Sequence, residues 1–273
     1  VEYARKHGAT VDFLLMDGSR TPLDDILQIF EAAAAAGASK LVIADTVGFL
    51  RPLSMHYLIA HIRDGLPEAV KKKVALSVHC HNDFGLATAN TLAAVEEGAT
   101  HLHTCIAGFG ERAGIAPFEE VVACLELLYN IDTGVDLEKV YRLSQSAEKA
   151  FALPIQFHKP IIGENLFAHE VDEEVEKMLA QPLLFEPFPP EIVGRETRLF
   201  IGRNTGQTLI QRLLEQAEIK ASPRQMDELF RHIKGLKESL DKGETQMTFY
   251  QVKRLLKDLQ KGLTMEEFWR LVE

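Results

Sequence analysis

Cysteine, tryptophan and cationic charge are scarce in this chain. Three cysteines, Cys80, Cys105 and Cys124, and one tryptophan occur among 273 residues. The cysteine spacing fits neither a zinc-binding pair nor a disulfide framework, which argues against a cross-linked secreted scaffold and points to a reducing cytoplasm. Lys and Arg number 30 against 40 Asp and Glu, a formal net charge of −10. Such a chain repels phosphate backbones, so no nucleic-acid partner is expected. No apolar run reaches the length of a membrane span, and the alanine run at 32–36 sits inside a helical pattern. No signal peptide, internal repeat or low-complexity segment is visible. The first residue is Val1 rather than Met, so the sequence reads as a fragment or a processed product.

What is present is ordinary for a folded protein: 46% hydrophobic and 26% charged residues, on a length that suits one or two domains. Residues 1–8 read as the end of a helix closed by Gly8, and 11–15 as a short strand ending in Asp17-Gly18-Ser19-Arg20. Thr21 is placed to cap a helix over 23–36, with Pro22 at its first position and Gly37 after it. A strand at 40–44 ends in Asp45-Thr46-Val47-Gly48, and a helix follows over 54–65. The strand carrying His79 and His81 comes next, then a helix at 86–97 closed by Gly98. A last strand over 101–106 runs into Gly108-Phe109-Gly110-Glu111-Arg112-Ala113-Gly114, before a helix at 118–129. Four consecutive βα units imply a parallel sheet with helical crossovers, whose carboxyl-end loops share one face and hold the polar clusters. The pattern alone leaves a barrel and a doubly wound sheet both open.

Beyond 130 the character changes. Helices are expected over 135–151, 173–180, 209–217, 223–239, 248–260 and 265–272, the last capped by Thr264 with Glu267 completing a capping box. The stretch 154–160 reads as a link, 182–190 as extended, and 202–206 as a turn.

The stretch Leu76-Ser77-Val78-His79-Cys80-His81-Asn82-Asp83 organises the first region. Alternate strand residues share a face, so His79 and His81 project together and Cys80 points away. Two adjacent imidazoles at a strand end suit a divalent metal. The plainer alternative is a polar strand end with one histidine hydrogen-bonded and one solvated.

Two runs sharpen this choice: His79-Cys80-His81-Asn82-Asp83-x-Gly85-Leu86-Ala87-x-Ala89-Asn90, and the Gly-Glu-Arg-Ala-Gly loop that follows. Together they resemble the metal-dependent acyl-CoA/2-oxo-acid condensing enzymes: the isopropylmalate, homocitrate, citramalate and Re-type citrate synthases. Asp45-Thr46-Val47-Gly48, the run Gly163-Glu164-Asn165-x-Phe167-x-His169-Glu170, and Val193-Gly194-Arg195-Glu196 leading to Ile201-Gly202-Arg203 extend the resemblance. It implies an α/β fold, the second half of a TIM (β/α)8 barrel followed by helical C-terminal subdomains. Strands five to eight would lie in 1–130, a linker and first helical subdomain in 131–206, and a helical C-terminal subdomain in 207–273. The first four units would lie outside this sequence, with an Asp-Arg-Glu motif that supplies a third metal ligand and an enolate-stabilising arginine. Either upstream sequence or another chain would complete the barrel.

The resemblance implies an acyltransferase of amino-acid biosynthesis that condenses acetyl-CoA, its co-substrate, with a 2-oxo acid and then hydrolyses the thioester. His79 and His81 would be metal ligands for Mg, Mn or Zn. Thr46 would donate its hydroxyl to the substrate carboxylate, or else cap the following segment. Glu111 and Arg112 would order the loop as an ion pair or contact substrate, against a plainer reading as solvated charges. Asn82 and Asp83 would fix the loop and the histidine tautomer. Departures from the family pattern matter. Ile115 stands where isopropylmalate synthases carry a metal-binding Asn, which leans toward the homocitrate or Re-citrate type. Met16-Asp17 stands where the family often has Glu-Asp. Glu174 replaces a proposed acid/base histidine; it is either a substitute base or, the higher-ranked reading, part of an acidic helix face. His169 is the other acid/base candidate. Asn204-Thr205-Gly206 replaces the usual His-Ser-Gly. Without a long regulatory domain in this sequence, feedback by leucine is not expected. A homodimer is expected. The alternatives are a carbon-carbon lyase like 3-hydroxy-3-methylglutaryl-CoA lyase, or a non-catalytic subunit of a split barrel.

Overall fold

The computed structural model describes residues 1–202, 204–238, 242–259, 262 and 265–272. Arg203, Ser239, Gln260 and Thr264, invoked above as motif residue, helix ends and cap, lie outside the described residues. The chain divides into two compact units, Val1–Ala150 with His158–Gly163, and Phe151–Phe157 with Glu164–Glu273. The expected boundary at 130 falls inside the first of these.

The first unit contains α1 (Glu2–Lys6), β1 (Asp12–Leu15), α2 (Leu23–Ala35), β2 (Lys40–Asp45), α3 (Pro52–Gly65), α4 (Glu68–Lys71) and β3 (Ala75–Cys80). It continues with α5 (Ala87–Glu96), β4 (His101–His103), α6 (Phe118–Leu127) and most of α7 (Val140–Phe151). The sheet has the order β1-β2-β3-β4, and every pair is parallel. Spatial order equals chain order, so each strand returns beside its predecessor through a helix, as in a run of barrel βα units.

The reason lies in the burial pattern. Leu41, Val42, Ile43 and Ala44 of β2 are all buried, the mark of an inner strand covered on both faces. β1 alternates exposed and half-buried, as an outer strand does. Helix α2 buries Ile26, Phe30 and Ala33, and α3 buries Met55, Leu58, Ile59 and Ile62, both at helical spacing. The Phe30 ring meets Phe13 of β1 edge-on at 6.4 Å.

Two local expectations are corrected. Thr21 does not cap α2: its hydroxyl donates to the Asp17 carbonyl at 3.0 Å, because Asp17 turns the chain in a left-handed conformation. The strand expected over 101–106 stops at His103. Ile106–Gly108 instead forms a tight turn with Ala107 at φ 56°, held by the buried Glu119 carboxylate accepting the Ala107 N–H at 2.9 Å.

The second unit contains β5 (Ala168–His169), α8 (Asp172–Ala180), β6 (Arg198–Leu199), α9 (Gln207–Gln216), α10 (Pro223–Glu238), α11 (Lys242–Leu259) and α12 (Met265–Val272). β5 and β6 pair in parallel, and Phe167, Val175, Met178, Val193, Leu209 and Ile210 are buried. The extended stretch expected over 182–190 is replaced by two tight turns, Pro182–Leu184 and Pro190–Val193, each opened by its proline. Among the described residues no helix is long and apolar enough to cross a membrane.

Removing the Phe30 ring empties the space between sheet and helix layer. Phe30→Ala is therefore expected to cost about 3–5 kcal/mol, whereas Leu53→Ala on the exposed side of α3 should stay within about 0.5 kcal/mol. Urea unfolding midpoints measure both.

Candidate functional site

Because β1 to β4 run parallel, their carboxyl ends and following loops gather on one side of the sheet. β3 lies in register with both neighbours: His79 stands opposite Ala44 of β2 and His103 of β4. Cys80 faces the other way, fully buried, and burial above all pushes its thiol up to about 12. Three imidazoles then form a row. His79 Nε2 lies 3.3 Å from His81 Nε2, and His79 Nδ1 lies 3.3 Å from His103 Nδ1. Ring centroids are 5.0 Å and 5.5 Å apart, and the His103 ring is nearly perpendicular to that of His79.

Burial first, then the charges of His81 and His103, drive the His79 imidazolium down to about 4. His79 is thus neutral at pH 7, the form that binds metal. Burial also lowers His103. His81 is buried, with its Nδ1 lacking a hydrogen-bond partner among the described residues.

These observations fit a divalent cation. Two nitrogens bound at about 2.1 Å to one ion stand about 3.0–3.4 Å apart, and the His79–His81 separation of 3.3 Å falls in that range. The same separation also fits a long N–H···N hydrogen bond. Among the described residues no group of three His, Cys, Asp or Glu converges as a metal cage. His79 and His81 could supply two donors of such a site, and further donors would have to come from outside this group.

The loops around the row are tied together. Asp45, buried at the end of β2, accepts the Phe49 and Leu50 N–H groups at 3.3 and 3.1 Å and shapes the turn holding Thr46. Thr46 Oγ1 accepts the Asp17 N–H at 2.7 Å, which links the first two loops. Arg112 donates to both oxygens of Asp83, at 2.8 and 3.0 Å, and to the Thr46 carbonyl at 2.6 Å. It thus joins the loops after β2, β3 and β4. Asp83 consequently titrates below the usual carboxylate value, chiefly through its hydrogen bond from Arg112.

Close approach makes two glycines necessary. A Cβ on Gly48 (φ 61°) would stand 2.7 Å from the His81 carbonyl, and one on Gly114 (φ 83°) 1.8 Å from the Gly108 carbonyl. Ile115 pairs by its backbone with His81 and carries no ligating atom. Glu111 is 85% exposed and 3.8 Å from Arg112. Asn82 accepts the Ala87 N–H at 3.1 Å, so it anchors the start of α5. The His79 nitrogen facing away from His81 meets His103, not Asn82 or Asp83.

His169 and Glu174 belong to the second unit. His169 is 8% exposed, with its Nε2 3.4 Å from the buried Glu186 carboxylate, which also accepts the Thr197 hydroxyl at 2.6 Å. Glu174 is exposed on α8. The motif runs around 164–170 and 193–206 come together because they carry β5 and β6. Glu164 accepts Arg198 at 2.7 Å, and Glu170 accepts the Asn204 N–H at 2.8 Å.

Residues 1–146 match the family model HMGL-like, and residues 161–241 match the model Homocitrate synthase post-HMGL domain-like. The chain belongs to the HMGL-like family. It is 39% identical over 277 residues to a 2-isopropylmalate synthase of Methanocaldococcus jannaschii, covering 100% of this chain and 51% of that protein. An (R)-citramalate synthase of the same organism is 36% identical over 234 residues, covering 86% and 46%. A homocitrate synthase of Methanothermobacter thermautotrophicus is 36% identical over 244 residues, covering 89% and 60%. A solved hydroxymethylglutaryl-CoA lyase from Pseudomonas aeruginosa matches 56% of this chain and 53% of its own at TM-score 0.48 and 24% identity. The chain spans about half the length of the curated relatives it matches.

Three residues of this HMGL-like chain were not singled out from sequence. His103 carries a visible signal, since His101-Leu102-His103 repeats the alternating spacing of His79 and His81. Glu119 and Lys159 carry none. The Lys159 ammonium reaches Glu120 and lies 3.6 Å from Glu119, a contact between positions far apart in the chain. Burial raises Glu119 above the usual carboxylate range.

Arg112→Ala should return the Asp83 carboxyl upward toward its ordinary value, measured by carbon NMR titration. A group held low contributes stability above its unfolded pKa and loses it as pH falls through the folded one. The variant should therefore lose part of the wild-type stability at neutral pH. The difference should begin to shrink below about pH 4, the unfolded-chain value, and close only once pH has passed the lowered folded value of Asp83.

Proposed function

We propose that this HMGL-like chain serves the condensation of acetyl-CoA with a 2-oxo acid, at a divalent-metal site to which His79 and His81 contribute ligands. The observation that carries the reading is the His79–His81 pair, nitrogens 3.3 Å apart with His79 neutral, at the carboxyl ends of parallel strands. The curated relatives named above support it, since they are synthases of this kind. The activity is assigned to the complete polypeptide. The outer edges of β1 and β4 have no strand partner among the described residues, which supports a barrel closed by further βα units or by a second chain.

Bound there, a divalent cation, whether Mg, Mn or Zn, supplies Lewis-acid polarisation of the keto oxygen. The chain's own residues do the rest of what is proposed. Thr46 Oγ1 already accepts the Asp17 N–H, so its proton is left to donate to the carboxylate of the 2-oxo acid. Arg112 holds the surrounding loops through Asp83 and the Thr46 carbonyl, while exposed Glu111 reaches outward to contact substrate. Of the two acid/base candidates, His169 has the built surroundings, with its ring against Glu186, whose carboxylate is itself held by the Thr197 hydroxyl. Glu174 keeps the role of a solvated helix face. Ile115 favours a 2-oxo dicarboxylic acid of the homocitrate or Re-citrate type. Relatives named for three different products match at similar identity, 36–39%, so identity does not choose the acid.

The complete polypeptide, supplied with Mg, Mn or Zn and acetyl-CoA, should release CoA thiol with one member of a panel of pyruvate, 2-oxoisovalerate, 2-oxoglutarate and oxaloacetate. His79→Ala and His81→Ala should each lower kcat by about 100-fold or more, since several kcal/mol of charge stabilisation is lost. Thr46→Val should lower kcat/KM for the 2-oxo acid by about 10- to 100-fold, with Thr46→Ser close to wild type. Thiol release with none of the four acids would refute the assignment.

A further inference from the structure

The middle imidazole of the row faces a choice that its neighbours decide. A neutral imidazole has one N–H donor and one lone-pair acceptor. His79 is engaged at both nitrogens, by His81 on Nε2 and by His103 on Nδ1, each at 3.3 Å. Two nitrogens facing each other need one proton between them. If His103 donates, His79 carries its own proton on Nε2 and has no lone pair on the side of His81. If His103 accepts, the His79 proton sits on Nδ1 and the Nε2 lone pair is free on that side. Only the second arrangement lets His79 and His81 bind one ion.

We infer that His103 is a positioning residue: its Nδ1 accepts the Nδ1–H of His79 and so keeps the His79 Nε2 lone pair turned toward His81 for a divalent cation. Three observations place it in this role. His103 is directly opposite His79 in the parallel register of β3 and β4. Its ring is nearly perpendicular to that of His79, with the two Nδ1 atoms facing. It meets the nitrogen on the far side from His81, so it does not join the pair as a third ligand. The other polar residues that follow His79, Asn82 and Asp83, are committed to the Ala87 N–H and to Arg112. The general chemistry is that of metal-binding histidines, whose second ring nitrogen is held by an acceptor that fixes tautomer and ring orientation. Here a strand neighbour on the same sheet face fills that place.

The inference rests on the metal reading of His79 and His81, and its test separates the two. Mn(II) binding to the complete polypeptide is titrated by electron paramagnetic resonance. The proteins compared are wild type, His81→Ala, His103→Phe and His103→Asn. Independently, nitrogen NMR of the metal-free protein reports which ring nitrogen of His79 carries the proton. The expected result is an Nδ1–H tautomer at His79 in wild type. His103→Phe should weaken Mn(II) binding by about 10- to 100-fold, and His103→Asn should recover most of it, because its amide oxygen replaces the acceptor. If His81→Ala leaves Mn(II) affinity unchanged, the metal reading fails and this inference falls with it. If His81→Ala abolishes binding while His103→Phe does not weaken it, the metal site stands and His103 is not its positioning residue. An Nε2–H tautomer at His79 in wild type also overturns the inference.

Discussion

The register of β3 between β2 and β4 is the constraint on which the candidate site depends. With His79 opposite Ala44 and His103, the imidazoles of His79 and His81 share one face and Cys80 enters the core on the other. Side-chain direction repeats every two residues, so a slip of one position would bury the histidines under the helix layer and turn the thiol outward. The register is enforced by burial. Val78 and Cys80 of β3, and Leu41 and Ile43 of β2, are sequestered in one hydrophobic cluster with α2, α3 and α5. Displacing that set would cost far more than any single polar contact at the strand ends could return.

The loops depend in turn on where the strands end. Asp45, Thr46, Asp83 and Arg112 are distant in sequence, yet the parallel arrangement brings their segments to one side of the sheet, where hydrogen bonds join them. Arg112 is partly exposed, so the stability it adds through Asp83 is small and its larger part is to order the loops. It fixes the loop carrying Glu111 relative to the His81–Asp83 segment, and glycines at 48 and 114 permit backbones to approach closely enough for that bracing. Directly behind, Glu119 pins the turn at Ala107 from which the Gly-Glu-Arg loop departs.

Much of the first unit was legible in the sequence, for reasons that can be named. Short apolar runs at 11–15, 40–44 and 76–80 alternate with helical periodicity, and Gly37 and Gly98 stop their helices in left-handed conformations. The pairing of His79 with His81 followed from strand alternation alone. Other features were hidden because they are tertiary. Ile106 looks like the last residue of a strand, but a buried carboxylate twelve positions beyond Ala107 bends the chain there. Thr21 has the residue type of a cap, yet the turn at Asp17 offers its hydroxyl a nearer acceptor. Pro182 and Pro190 suggested extended chain, whereas each begins a turn that needs no proline N–H. His103 shows the same limit, since its own strand reveals its spacing but only the register reveals that it meets His79. In the second unit, the His169–Glu186 contact spans seventeen positions and left no local trace.

His79 and His81 are proposed to bind one divalent cation together. X-ray absorption at the metal edge of the purified, metal-loaded polypeptide tests it most directly, because imidazole rings produce a distinctive outer-shell scattering pattern. The expected spectrum is fitted by two imidazole ligands at about 2.0–2.2 Å, with oxygen donors completing the set. A spectrum fitted by oxygen donors alone would contradict it.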